Sequence, residues 1–399
     1  MHVRIDQARH EDASRAIEDV HLFVDRQRTW RKPGDYAIGH QEIMTLQQRL
    51  GIAVKDARIA EKNRHVGSLS QSRYCVNRVT RQAWLDATGP TRNALRYRLT
   101  QNQFRKGHRP SRTAEYMALF RAVETAADPR RRLFEDPYAA ALLTGRLKAL
   151  AGFAGLPVAG RLANWFLDLG WPCTRSSAVV RTRLIDDLLR QAIRGGARQA
   201  LLLGAGFDSR PYRLEELRGV PLFEVDHPST QTAKRQRLQV RLGRLPANVR
   251  FVPVDFEKDD LEATLLAAGF DTGAPTVAVW EGVVSYLTPA AVDQNFCMLA
   301  RMLAQGSELI FSYVHRGALD GSVAFREARR WKSSVRSTGE PFIFGFDPAE
   351  LADYLRPRGF ALVRDVSTAE AAKLYCEPLH RSEPGSELYR IAAARRAAL

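Results

Sequence analysis

Ala200-Leu201-Leu202-Leu203-Gly204-Ala205-Gly206-Phe207-Asp208-Ser209-Arg210 is the stretch whose reading decides the fold. Its apolar run, bounded by Arg198 and Gly204, suits a central parallel strand buried on both faces. Gly204 and Gly206 then permit backbone angles and a close approach that side chains would block. Open α/β sheets bind nucleotide-like ligands where a strand ends in such a turn, at the carboxyl edge. A tight strand-to-helix turn with no ligand has the same residues, so the rest of the chain must decide.

Downstream, strand and helix patterns alternate. Strands are predicted at 220–225, 250–254, 276–280 and 308–313, with two more at 360–366 and 388–393. Helices are predicted at 177–193, 230–242 and 259–268. Thr288 caps another, with Pro289 in its first turn and Gly306 as its stop, and Asp347-Pro348 repeats the device for a helix running to Arg356. Upstream, Ser111 or Thr113 caps a helix through Met117, Leu119, Phe120 and Val123, and a second helix is predicted at 138–150. Residues 151–172, with Phe153, Trp165, Phe166 and Trp171, form a lid or a packing element. The pattern predicts an α/β fold, a mostly parallel sheet over roughly 175–399 preceded by a helical cap at 111–174.

The first 110 residues differ in kind. Their Lys and Arg outnumber Asp and Glu by 21 to 11, which accounts for most of the formal net charge of +16. From 63 to 110 the composition is rich in Arg, Gln, Asn, Ser and Thr and poor in core material. The predicted domains are therefore a basic, poorly organised N-terminal extension at 1–110 and a folded unit at 111–399. A basic arm can contact nucleic acid or anionic lipid; Arg-rich composition also follows from high-GC coding. No apolar run approaches the roughly 20 residues of a membrane helix, since Glu281 interrupts the stretch from Pro275 to Tyr286. Charged residues follow Met1 with no apolar leader segment, so a cytoplasmic location is expected. The four cysteines are far apart, with no CxxC or Cys/His ligand spacing, so neither a disulfide framework nor a metal site is expected.

Three predicted strands after the glycine turn end in acids. Asp226 falls 20 residues after Gly206, where a carboxylate after the second strand reaches a ribose diol with its two acceptor oxygens. Asp255 and Phe256 close the third strand, where a polar group and an apolar ring can meet adenine. Glu281 closes the fourth and can accept from an ammonium. Each acid taken singly also reads as a helix cap or a surface charge. Together they describe a ligand with ribose, adenine and ammonium. Phosphate fits poorly, because the turn lacks the third glycine of the dinucleotide fingerprint and carries Asp208. S-adenosyl-L-methionine matches better than NAD or ATP.

Gly204-Ala205-Gly206-Phe207-Asp208-Ser209-Arg210, Glu224-Val225-Asp226-His227-Pro228, Val252-Pro253-Val254-Asp255-Phe256 and Glu281-Gly282-Val283-Val284-Ser285-Tyr286-Leu287 resemble the successive motifs of the leucine carboxyl methyltransferase family, across about residues 111–399. The resemblance implies the class I methyltransferase fold, a Rossmann-like seven-stranded sheet whose last strand runs antiparallel, and S-adenosyl-L-methionine as cofactor. It implies cofactor contacts at Gly204, Gly206, Asp226, Asp255, Phe256 and Glu281. It also implies an arginine for the cofactor carboxylate from the helix before the first strand; Arg181 is the choice, with Arg175 and Arg183 as rivals. Arg210 and Tyr286 are candidates to orient an acidic acceptor, and each equally suits a salt bridge or core packing. No dedicated base stands out: His227, His315 and His380 are candidates, and each also reads as a structural or surface residue. The expected reaction is methyl transfer to a carboxylate or hydroxyl oxygen of a small molecule or peptide. A nucleic-acid methyltransferase guided by the basic arm, or a non-catalytic cofactor-binding protein, are the competing readings.

Overall fold

The computed structural model describes residues 111–155, 173–256, 259–325 and 342–397. The predicted extension at 1–110 and the aromatics Trp165, Phe166 and Trp171 lie outside the described residues. No helix among the described residues is long and apolar enough to cross a membrane.

The chain opens with α1 (Arg112–Thr125), whose cap is Ser111: its hydroxyl accepts from Ala114 N–H at 3.2 Å. The helix predicted at 138–150 is instead two pieces, a 3-10 turn at Ala139–Leu142 and α2 (Gly145–Ala154). Leu143 and Thr144 are extended and Gly145 has φ +50, which breaks the run. α3 (Thr174–Arg194) starts three residues earlier than predicted and feeds β1 (Gln199–Leu203). A short α4 (Arg210–Arg213) follows the glycine turn.

The βα repeat then runs as β2 (Leu222–Asp226), α5 (Pro228–Leu242), β3 (Val249–Pro253), α6 (Leu261–Ala267) and β4 (Thr276–Trp280). It continues with α7 (Pro289–Met302), β5 (Glu308–Val314) and α8 (Arg316–Asp320). Thr288 caps α7 as predicted, accepting from Ala291 N–H. The helix launched by Asp347-Pro348 is shorter than predicted, only α9 (Leu351–Leu355). Last come β6 (Phe360–Ser367), α10 (Thr368–Cys376) and β7 (Tyr389–Arg396).

The seven strands are ordered β3-β2-β1-β4-β5-β7-β6. β7 inserts between β5 and β6 and is antiparallel to both; the other pairings are parallel. Strand order reverses between β1 and β4, which makes the crevice at their carboxyl ends the switch point where such sheets bind ligands. Alternation along β1 sends Ala200 and Leu202 into a layer built with α1, α3, α5 and α10. Leu201 and Leu203 go into the opposite layer with α6, α7 and α9.

Candidate active site

The glycine turn lies at the switch point, with Gly204 at φ +63 and Gly206 at φ +45. A Cβ on Gly204 would collide with Val283 Cγ2, from the loop after β4, and one on Gly206 would sit 3.3 Å from Ala114 Cβ of α1. The turn is thus gripped by protein on both sides, and both glycines are needed for their left-handed backbone. Ala205 N–H donates to the Val225 carbonyl at 2.9 Å and ties the turn to β2.

Asp226, the last residue of β2, is fastened to this turn. Gly206 N–H donates to its Oδ2 and His227 N–H to its Oδ1, the latter at 2.6 Å. Burial pushes its carboxyl above the usual range, and the two N–H bonds offset this only in part. A carboxylate oxygen has lone pairs for more than one donor, so both can still accept from a ligand.

Glu281, just beyond β4, divides its carboxylate between two arginines. Arg181 Nε donates to Oε1 at 2.7 Å, and Arg210 Nη1 donates to Oε2 at 2.7 Å. Arg210 Nη1 also reaches Asp208 Oδ2 at 2.6 Å, and its Nε reaches Asp186 Oδ1 at 2.7 Å. Arg213 closes the lattice with two bonds to Asp186, at 2.6 and 2.7 Å. Burial alone would raise the carboxyls of Asp208 and Glu281. Arg210, with Lys234 for the first and Arg181 for the second, outweighs it: both fall below the usual range, Asp208 to about 2.

A second knot straps α1 to the turn. Arg121 Nε donates to Asp136 Oδ2 at 2.8 Å and its Nη2 to the Phe207 carbonyl, while Ser209 Oγ donates to Asp136. Asp136 also accepts the N–H groups of Tyr138 and Ala139. Burial raises its carboxyl, but Arg121 and Arg213 bring it below the usual value.

Of the sequence candidates, the structure gathers Gly204, Gly206, Asp226, Arg181, Arg210 and Glu281 at the ends of adjacent strands. Asp255 is half-buried in the loop just after β3, and Phe256 is 46% exposed. Among the three rival arginines, Arg175 turns to Glu383 and Arg183 to Asp187 and the Leu133 carbonyl; Arg181 meets Glu281. Arg210, expected to orient an acceptor, has 3% of its side chain exposed and is committed to three carboxylates, because α4 turns it inward against α3. Tyr286 lies in the 3-10 turn after Glu281, its ring 4.8 Å from Phe342.

Two of the candidate bases serve as helix caps. His227 Nδ1 accepts from Ser229 N–H at 3.2 Å, and His315 Nδ1 accepts from Gly317 N–H at 3.0 Å. A backbone N–H can only donate, so each Nδ1 is bare and the neutral ring carries its proton on Nε2. Burial lowers the His315 pKa despite the pull of Asp347, which keeps that ring neutral. His380 closes a 3-10 turn in the left-handed conformation, and its carbonyl accepts from Arg131.

Sequence reasoning missed Asp186, Asp136, Arg121 and Arg213. Asp186 had a signal: it is an acid inside the buried stripe of α3, flanked by Leu184, Ile185 and Leu189.

The sequence pattern described as leucine carboxyl methyltransferase matches residues 114–300. A Mycolicibacterium gilvum protein assigned by name to S-adenosyl-L-methionine-dependent methyl transfer is 32% identical over 298 residues, 71% of this chain and 94% of that protein. One from Mycolicibacterium vanbaalenii, with the same name, is 30% identical over 299 residues, with the same two coverages. Among solved structures, a protein from Thermobifida fusca YX titled as a methyltransferase is 20% identical and overlays with a TM-score of 0.46, over 69% of this chain and 97% of that one. Sheet order, edge chemistry and relatives define a class I, S-adenosyl-L-methionine-dependent methyltransferase. Within that class the chain belongs to the leucine carboxyl methyltransferase family.

Proposed function

We propose that this enzyme methylates an oxygen atom of an acidic or hydroxylic acceptor, small molecule or peptide, with a carboxylate favoured. The observation that carries the reading is the state of the proton-accepting groups at the strand ends. Asp208 and Glu281 are held by arginines, and the Nδ1 atoms of His227 and His315 are committed to helix caps. A carboxylate acceptor, with a pKa near 4, arrives ionised and needs no base, whereas a phenol near 10 profits from one.

The residues present fit the methyl donor. Asp226, oriented by two N–H bonds, suits a ribose diol, and Asp255 with Phe256 suits the adenine edge. The Arg181–Glu281 pair matches an amino-acid carboxylate and ammonium. When bound, S-adenosyl-L-methionine would supply an electrophilic sulfonium methyl: an acceptor oxygen would attack that carbon in line with the carbon–sulfur bond, which would break to release the neutral thioether S-adenosylhomocysteine. The chain's own share of catalysis is to hold the reactants aligned, an effect worth up to roughly 7–11 kcal/mol. At the end of β4, Trp280-Glu281-Gly282 stands where an Asn/Asp-Pro-Pro-aromatic cradle for a base nitrogen would be, which speaks against nucleic acid as acceptor.

The test is mass spectrometry of cell extract incubated with enzyme and methyl-labelled donor. Label in an ester or ether, absent with Asp226→Ala, is expected. Label confined to nucleic acid or to amines overturns the reading. Asp226→Ala itself should weaken S-adenosylhomocysteine binding by about 100-fold, since it removes charge-assisted bonds to the ribose, and leave the protein folded.

A further inference from the structure

The two halves of the Glu281 carboxylate are not equivalent. Arg210, on Oε2, has 3% of its side chain exposed and is locked from behind by Asp186 and Asp208. Arg181, on Oε1, is 12% exposed and has no second carboxylate among the described residues; its Nη2 rests 3.3 Å from Met117 Sδ. Charge is balanced in the lattice, with Asp186, Asp208 and Glu281 against Arg181, Arg210 and Arg213. Removing one partner of a buried pair strands the other, so an opening pair must be refilled with both signs.

An amino-acid zwitterion does that refilling. We propose that Arg210 is a positioning residue for the methyl donor: it pins Glu281 by Oε2 while the Arg181–Glu281 pair opens, the donor's carboxylate taking Arg181 and its ammonium taking Oε1. One ion pair becomes two, and net charge in the lattice is unchanged. A ligand with only one of the two charges leaves an arginine or a glutamate unmatched, so the exchange selects for the whole amino-acid end. Arg210 is needed because a Glu281 free to follow Arg181 would leave the ammonium without a fixed acceptor; its fork holds Asp186 through Nε while Nη1 holds Asp208 and Glu281, a spread that a lysine point charge cannot span. The inference rests on S-adenosyl-L-methionine being the donor.

The experiment is calorimetric binding of two probes to the full chain: S-adenosylhomocysteine, and methylthioadenosine, which keeps the adenosine and thioether but lacks the amino-acid end. The native protein should prefer S-adenosylhomocysteine by about 100-fold. Arg210→Lys should cost that probe about 10-fold and leave methylthioadenosine within about twofold. Equal losses on both probes, or no loss on either, overturn the positioning role. Because Arg210 lies in the core, Glu281→Gln is a second test that does not depend on Arg210→Lys folding. It keeps the shape of the side chain and must give the same selective loss; unchanged S-adenosylhomocysteine affinity overturns the proposal. Equal binding of the two probes by the native protein overturns the exchange alone, whereas binding of neither overturns the donor assignment with it.

Discussion

The two faces of the sheet are packed by different means. On the face covered by α6, α7 and α9, the Phe296 ring lies at 5.3–6.2 Å, edge-on, from Trp280, Phe311, Phe346, Tyr354 and Phe360. The energy of this cluster is area removed from water plus aromatic contact. Charge on this face includes the half-buried Asp365–Arg390 pair at 3.0 Å, with Asp365 also accepting from the Tyr313 hydroxyl. The face covered by α1, α3, α5 and α10 also has an apolar core, but carries buried charge through it. Lys234 donates to Glu224 at 2.7 Å with both side chains 1% exposed, and Tyr212 donates to the other Glu224 oxygen at 2.8 Å. The Asp186–Arg210–Glu281 lattice and the Arg121–Asp136 strap belong to the same side. Buried pairs add little stability against apolar replacements, but each fixes a geometry. The comparison teaches a division of labour: the aromatic face holds the sheet together, and the ionic face sets the shape of its carboxyl edge.

The strongest way to break this comparison is at Phe296. Phe296→Ala should cost about 3–5 kcal/mol in urea unfolding, the range for emptying an aromatic site, with binding at the strand ends little changed in the molecules that stay folded. A loss below about 1 kcal/mol would mean that the aromatic layer is not the main support.

Next comes the buried pair. Lys234→Ala strands the Glu224 carboxylate, whose pKa burial already raises, and should cost about 3 kcal/mol. Lys234→Met combined with Glu224→Gln keeps an acceptor for Tyr212 and should recover most of that loss. If the double variant is as unstable as the single one, the pair contributes stability in its own right and the contrast between the faces fails.

The smallest expected effect is acid sensitivity. Asp208 is held at about 2 in the folded chain, below the usual carboxylate value it recovers on unfolding. Its contribution is therefore fully present above about pH 4 and is lost as pH falls toward 2. The linkage amounts to about 2 kcal/mol. The stability difference between the native protein and Asp208→Asn should be constant from pH 7 to 5 and shrink below 4. A difference that is flat down to pH 2 would remove Asp208 from the lattice's energetics.

Much of this was legible in the chain itself. Largely apolar runs ending in Gly204, Asp226 and Glu281 located three strand ends, because a strand buried on both faces stays mostly apolar until it reaches the edge. The edge strand β3, with Arg250 and Pro253 exposed, was marked instead by its half-apolar alternation before Asp255. Thr288-Pro289 and Ser111 marked helix starts through their capping chemistry. Misplaced boundaries fell where local pattern is weak, at 138–150 and after Asp347-Pro348. The partners of the site residues were not legible. Asp186 and Glu281 are 95 positions apart and meet through Arg210 only once α3 and β4 are packed side by side.

By itself, then, the sequence determined the α/β class and the kind of cofactor, and it pointed to the carboxyl edge as the candidate site. These depend on local periodicity and on which residue types end each strand. Tertiary structure alone decided that β7 slots between β5 and β6, that Arg181 rather than Arg175 or Arg183 meets Glu281, and that Arg210 faces inward. Those outcomes depend on which long-range neighbours share a low-dielectric space, where an arginine must find carboxylates or pay the cost of burial unmatched.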